Sequence, residues 1–265
     1  MSRISDKFIQ LKAAGKKALI PYISAGDPNP EITYQLVLEM ERRGADIIEL
    51  GVPFSDPIAD GPVIQKASMR ALQGGINLPK ILGLTGKIRL ASQIPLIFMT
   101  YYNPILHYGE ELFVQAAKKS GVDGLIVPDL PPEEAESLIK LCQKNQLDLI
   151  FLLAPTSTPE RIAKVCQYSQ GFIYYVSLTG ITGTGLANTA RIENKLNQIK
   201  QVTDKPIAVG FGVSTPEQAT QIASWSNGVI VGSAIIRVME QNLADEPKLI
   251  ADVGNFVAQL KQAIR

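Results

Sequence analysis

GLIVP (124–128), LDLIFLL (147–153), FIYYVS (172–177), PIAVG (206–210) and GVIV (228–231) are the runs that decide the fold. Each is short, apolar and rich in β-branched or aromatic residues, without the in-and-out alternation of a strand with one face in water. Strands of this kind are covered on both faces. Helices fit between them, and two are announced by the same Ser-Thr-Pro-Glu, at 157–160 and 214–217. There Thr can cap the helix and Pro takes its first position. The repeating unit is a strand followed by a helix, and successive units need parallel crossovers.

Outward from this region the same unit recurs. Ala18-Leu-Ile-Pro-Tyr-Ile23, the run through Ile47, Ile48 and Glu49, and Pro95-Leu-Ile-Phe-Met-Thr-Tyr101 bring the strands to eight. Helical spacing is evident at about 30–43, at 64–72 and again towards Ser92. Residues 3–14, with Ile4, Phe8, Ile9 and Leu11 at helical spacing, form a leading helix that stops at Gly15. Eight strand–helix units in about 250 residues predict a TIM (β/α)8 barrel, a single domain over residues 1–265 with an extra N-terminal helix. A doubly wound open sheet satisfies the same periodicity, because periodicity does not show closure.

Composition restricts function. Of 265 residues, 46% are hydrophobic and 19% charged, enough apolar material for one large core. The net charge of +1, without a basic cluster, gives no electrostatic footprint for nucleic acid or an anionic membrane. Cys142 and Cys166, the only cysteines, fall in amphipathic segments and read as buried reduced thiols. With no apolar signal region and no membrane-length run, the expected compartment is the cytoplasm.

Within ELGVPFSDPIADGP (49–62), Glu49 lies in an apolar strand, and Asp60 lies in a loop that has no Lys or Arg nearby in sequence. Buried charges are costly unless paired or used. The pair reads either as structural acids, a cap and a turn former, or as two carboxylates at the mouth of a pocket. In a barrel the pocket is built at the C-terminal ends of the strands. Those ends offer Tyr22, Glu49, Thr100 to Asn103, Asp129, Tyr174 and Tyr175, Phe211, and Gly232-Ser233. The aromatic residues fit a flat apolar ligand collectively, though singly they also fit a core.

GFGVS (210–214) and VGSA (231–234) end the last two strands, where barrels bind phosphate through loop amides and a helix N-terminus. Arg237 is placed too far into the following helix to be required. The uncharged LTGITGTGLANTA (178–190) is a spacer or a lid, and its position beside these loops favours a lid. His107 is the only histidine, which removes His-based triads and multi-histidine metal sites. No lysine ends a strand, which argues against Schiff-base chemistry. Carboxylate acid–base chemistry on a phosphorylated, partly aromatic substrate remains.

ELGVPFSDPIADGP, VPDLPPEE, TGITGTG, GFGVS and VGSA occur in the order in which they stand in the tryptophan synthase α subunit family, which the chain resembles over nearly its whole length. The resemblance implies retro-aldol cleavage of indole-3-glycerol phosphate to indole and glyceraldehyde 3-phosphate. It implies catalytic roles for Glu49 and Asp60, phosphate contacts at Gly183, Gly212, Gly232 and Ser233, and indole contacts at Tyr22, Tyr174 and Phe211, with Thr182 in the lid. It also implies no cofactor in this chain and an α2β2 complex with a β subunit that carries pyridoxal phosphate. Leu178 departs from the pattern, since some bacterial relatives carry Arg there. A stand-alone indole-glycerol-phosphate lyase and a catalytically silent barrel that activates a partner are the competing expectations. Retention of both carboxylates argues against the silent form.

Overall fold

The computed structural model describes residues 2–176, 186–210 and 212–265. Its strands are β1 (Ala18–Ser24), β2 (Ile48–Gly51), β3 (Leu96–Met99), β4 (Gly124–Ile126), β5 (Asp148–Ile150), β6 (Leu152–Leu153), β7 (Ile173–Val176), β8 (Ile207–Gly210) and β9 (Gly228–Val231). The helices are α1 (Arg3–Ala13), α2 (Pro30–Arg42), α3 (Pro62–Gln73), α4 (Leu78–Ala91), α5 (Tyr102–Tyr108), α6 (Glu110–Ser120), α7 (Glu136–Lys144), α8 (Pro159–Tyr168), α9 (Leu186–Lys200), α10 (Pro216–Trp225), α11 (Ser233–Glu240) and α12 (Glu246–Ala263).

All strand pairs are parallel, in the order β5-β4-β3-β2-β1-β9-β8-β7-β6. The two ends of that order, β5 and β6, are halves of one run interrupted at Phe151. The run 148–153 pairs with β4 through its first half and with β7 through its second, so the sheet closes on itself. This is the eight-stranded TIM barrel expected from the sequence, with its fifth strand divided at Phe151. The open doubly wound sheet is excluded.

Side chains sort by the period of two. Ala18, Ile20, Ile47, Ile97, Ile126, Ile150, Phe172, Tyr174, Ala208 and Ile230 share the barrel interior, while their neighbours pack outward under the helices. Helix α1 plugs the bottom of the barrel. Its buried face of Ile4, Phe8 and Leu11 joins the interior cluster, and the Phe8 ring meets Phe172 at 5.5 Å. The expected caps are present: Thr158 accepts from the Arg161 amide and Thr215 from that of Gln218, each with Pro in the first turn.

Candidate active site

Glu49 is the second residue of β2, not its last as expected, and its inward direction follows from alternation with Ile47. It is 1% exposed, and neither carboxyl oxygen has a hydrogen-bond partner among the described residues. Burial, and then the charge of Asp60, push its carboxyl up to about 8. At neutral pH it is a protonated acid facing the barrel interior.

Asp60 is half-buried in the turn before α3. The Tyr101 ring reaches up beneath this turn: its hydroxyl accepts from the Ala59 amide at 2.9 Å, and Phe54 lies against it at 5.4 Å. Burial pushes the Asp60 carboxyl above its ordinary range, while the Tyr101 hydroxyl beside it draws it back.

Above Glu49 lies a cavity of about 260 Å³ lined by Tyr22, Asp60, Ile64, Met99, Tyr174, Gly212, Ser214, Gly232, Ser233 and Arg237, among others. Six of the expected residues, Tyr22, Asp60, Tyr174, Gly212, Gly232 and Ser233, meet there. Glu49 lies beneath the lining, in register with Tyr22 on the neighbouring strand; burial first, and then the carboxyl groups of Asp60 and Glu49, raise the Tyr22 and Tyr174 hydroxyls. Thr182, Gly183, Leu178 and Phe211 lie outside the described residues.

The other strand-end candidates serve elsewhere. The Asp129 carboxylate accepts from the Tyr102 amide at the start of α5, and the Tyr102 hydroxyl donates to Glu110. Tyr175 alternates to the outside, packing under the helices, with its buried hydroxyl unpartnered among the described residues.

One end of the cavity is suited to an anion. Gly212 has φ +82, a conformation natural to glycine. Gly232 caps α11; its carbonyl accepts from the amides of Ile235 and Ile236, which leaves those of Ser233 and Ala234 without a partner within the helix. Arg237, read from the sequence as too far into the helix to be required, is nonetheless in the cavity lining. It stands four residues after Ser233, so both share one helix face, and both line the cavity. That spacing is visible in SAIIRV (233–238) and is the signal by which sequence reasoning could have found it. Ile64 and Met99 were also missed; they carry no chemistry and look like any core residue.

Fold and cavity define a (β/α)8-barrel protein with the Asp60 carboxyl and the N-terminus of α11 in the lining of one pocket and the Glu49 carboxyl beneath it. Residues 8–265 match the family described as tryptophan synthase alpha chain. The chain is 50% identical to the tryptophan synthase alpha chain of Citrifermentans bemidjiense over 264 residues, covering 100% of this chain and 98% of that one. It is 47% identical to that of Geobacter sulfurreducens, with 100% and 99% covered. The crystal structure of tryptophan synthase subunit alpha from Legionella pneumophila superposes with a TM-score of 0.92 at 40% identity, covering 100% of this chain and 98% of that one. The chain belongs to the tryptophan synthase alpha chain family. Its activity is the α reaction of tryptophan biosynthesis, cleavage of indole-3-glycerol phosphate, and membership implies a β-chain partner in general.

Proposed function

We propose that Glu49 is the proton donor of this reaction and Asp60 its counterpart at the ring nitrogen, with Gly212, Gly232 and Ser233 at the substrate phosphate. One observation carries the assignment: a buried carboxyl with neither oxygen paired, protonated up to about pH 8, beneath the cavity. A general acid works best when its pKa lies near the operating pH.

The bond that breaks joins C3 of indole to the carbinol carbon of the side chain. Glu49 gives its proton to C3, and positive charge develops at the ring nitrogen, where Asp60 accepts the N–H hydrogen bond and stabilises it. The Glu49 carboxylate then takes the carbinol hydroxyl proton. As that C–O becomes a carbonyl, the carbon–carbon bond breaks and its electron pair restores the aromatic ring. Glu49 ends protonated as it began, and no co-reactant is consumed. Tyr22 and Tyr174 supply apolar faces for the ring. First-turn amides of α11 and the Ser233 hydroxyl hold the phosphate, joined by Arg237 at the cavity wall. Thr182, Gly183 and Phe211 complete the proposal through the resemblance alone.

The partner we assign is a β subunit carrying pyridoxal phosphate, in an α2β2 complex, docked over the C-terminal end of the barrel. Indole is small, uncharged and able to leak away, so direct receipt by a partner has a chemical use. A cytoplasmic location agrees with Cys142 and Cys166, which are buried free thiols. The whole site belongs to one domain.

Indole release from indole-3-glycerol phosphate tests the assignment. Glu49→Gln keeps the shape and loses the transferable proton, so activity falls by about 10²–10⁴-fold with the fold intact. Asp60→Asn loses most of its activity. Retention of more than about a tenth of wild-type turnover by Glu49→Gln would mean another group donates the proton. Repeating the assay with saturating β subunit separates a partner-dependent enzyme from a stand-alone lyase, whose rate would not change.

A further inference from the structure

Three walls of the cavity are tied together from behind by one guanidinium. Nε and Nη2 of Arg70 donate to the two carboxylate oxygens of Asp27, each at 2.8 Å, and Nη1 donates to Oε1 of Glu240 at 2.8 Å. Asp27 is fully buried in the loop after β1, the strand that carries Tyr22. Arg70 stands on α3, whose start follows Asp60 directly and which carries Ile64. Glu240 ends α11, whose other end presents Ser233 and, one turn in, Arg237. The aromatic wall, the carboxylate wall and the phosphate wall each own one member of the triad.

The chemistry of the triad favours geometry over bulk stability. A buried ion pair repays little of its desolvation cost compared with apolar packing. What a guanidinium supplies instead is a rigid planar fork that fixes distance and angle to a carboxylate at two points. Here the fork holds Asp27 at both oxygens and still has a third N–H for Glu240.

We propose that Arg70 is a positioning residue that, through Asp27 and Glu240, sets the spacing between the carboxylate end and the phosphate end of the cavity. This rests on the reading of those two ends given above. Binding energy gained at a remote phosphate accelerates the reaction only if it holds the reacting carbon in line with the acid. A slack tie leaves the phosphate end able to bind phosphate but loses the alignment. The cost then falls on kcat, not on affinity for the phosphate alone.

Glu240→Ala cuts the α11 arm and leaves the Asp27–Arg70 pair. Arg70→Lys keeps a charge beside Asp27 without the fork, and serves should the first variant fold poorly. For each, and for both combined, kcat and KM for indole-3-glycerol phosphate are measured on the full chain, with the Kd of inorganic phosphate and the melting temperature. Glu240→Ala is expected to lower kcat about tenfold with phosphate affinity unchanged. In the Arg70→Lys background the same change should cost less than about twofold, because the arm is already slack. Wild-type kcat in Glu240→Ala, a matching loss of phosphate affinity, or a full effect in the Arg70→Lys background would each overturn the proposal. Glu49→Gln run in parallel separates the two failures: if it stays active the assignment of the site has failed, and if it is dead while Glu240→Ala is unaffected only the role of Arg70 has failed.

Discussion

The buried acids at the bottom of the barrel and Glu49 nearer its top are treated in opposite ways. At the N-terminal ends of the strands, Asp46 accepts from the Leu19 amide and from Lys261 Nζ. Asp123 accepts from the Leu96 amide, Arg89 and Arg3, and Asp148 accepts from the Ser2 hydroxyl. At the C-terminal end Glu49 is buried at least as deeply and has neither oxygen paired among the described residues. The fold can therefore satisfy a buried carboxylate, and at the C-terminal end too it does so for Asp27, which Arg70 holds at both oxygens. The unsatisfied one lies where the chemistry is.

Paired substitutions should break the two ends differently. Asp123→Ala strands the Arg89 guanidinium and the Leu96 amide, and is expected to cost about 3–5 kcal/mol in urea unfolding while indole release at low temperature holds. Glu49→Gln should lose no stability at neutral pH and gain some, because it removes a group that would rather be solvated and ionised. If the two variants lost stability equally, Glu49 would be a structural acid like those at the bottom.

The pH dependence of stability sharpens the same contrast. The Glu49 carboxyl titrates near 4.5 in the unfolded chain and near 8 in the folded one. Between those values the folded state binds a proton that the unfolded state has released, so this group makes stability fall as pH rises. The slope is at most about 1.4 kcal/mol per pH unit, and the loss is complete above pH 8. Wild type minus Glu49→Gln, followed by denaturation from pH 4 to 9, isolates the effect. The difference should widen in favour of the variant up to about pH 8 and then stay flat. Indole release by the wild type should fall above pH 8 as the donor ionises. A flat difference curve would mean that Glu49 is solvated or paired in solution.

The contrast between Glu49 and the acids below it is partly legible in the amino-acid sequence alone. An acid within Ile47-Ile48-Glu49-Leu50 is conspicuous because apolar strands seldom hold one, and the eight strands are legible because double coverage makes them continuously apolar. The division at Phe151 is not legible, since LDLIFLL reads as one strand and the change of partner from β4 to β7 belongs to the closure of the barrel. Alternation says that Tyr174 and Tyr175 face opposite ways, but only register with β6 and β8 says which faces in. Helix α1 is plain from its spacing, whereas its docking as a plug depends on which surface remains uncovered. That Tyr101, distant in sequence, closes beneath the turn of Asp60 is likewise not legible in the sequence.

Arg237 offers the smallest expected effect and the finest test of how the upper end handles charge. At the lower end Arg89 is largely buried and tied to Asp123, so its charge serves the fold. Arg237 is exposed on α11 and lines the cavity with Ser233, so its charge is available to a ligand but is also bathed in solvent. A solvated ion contact contributes on the order of 1 kcal/mol, and its partner, the substrate phosphate, does not change charge during the reaction. The contact is therefore equal in ground state and transition state, and losing it should raise KM without lowering kcat. Arg237→Gln is expected to raise KM for indole-3-glycerol phosphate about fivefold, equivalent to roughly 1 kcal/mol, at unchanged kcat and melting temperature. Screening adds a second mark. In 1 M salt the Debye length shrinks to about 3 Å, and the gap between wild type and variant should close. A KM difference indifferent to salt would assign Arg237 a packing role instead, and a fall in kcat would place it in the alignment that the amides of α11 and the Arg70 triad provide.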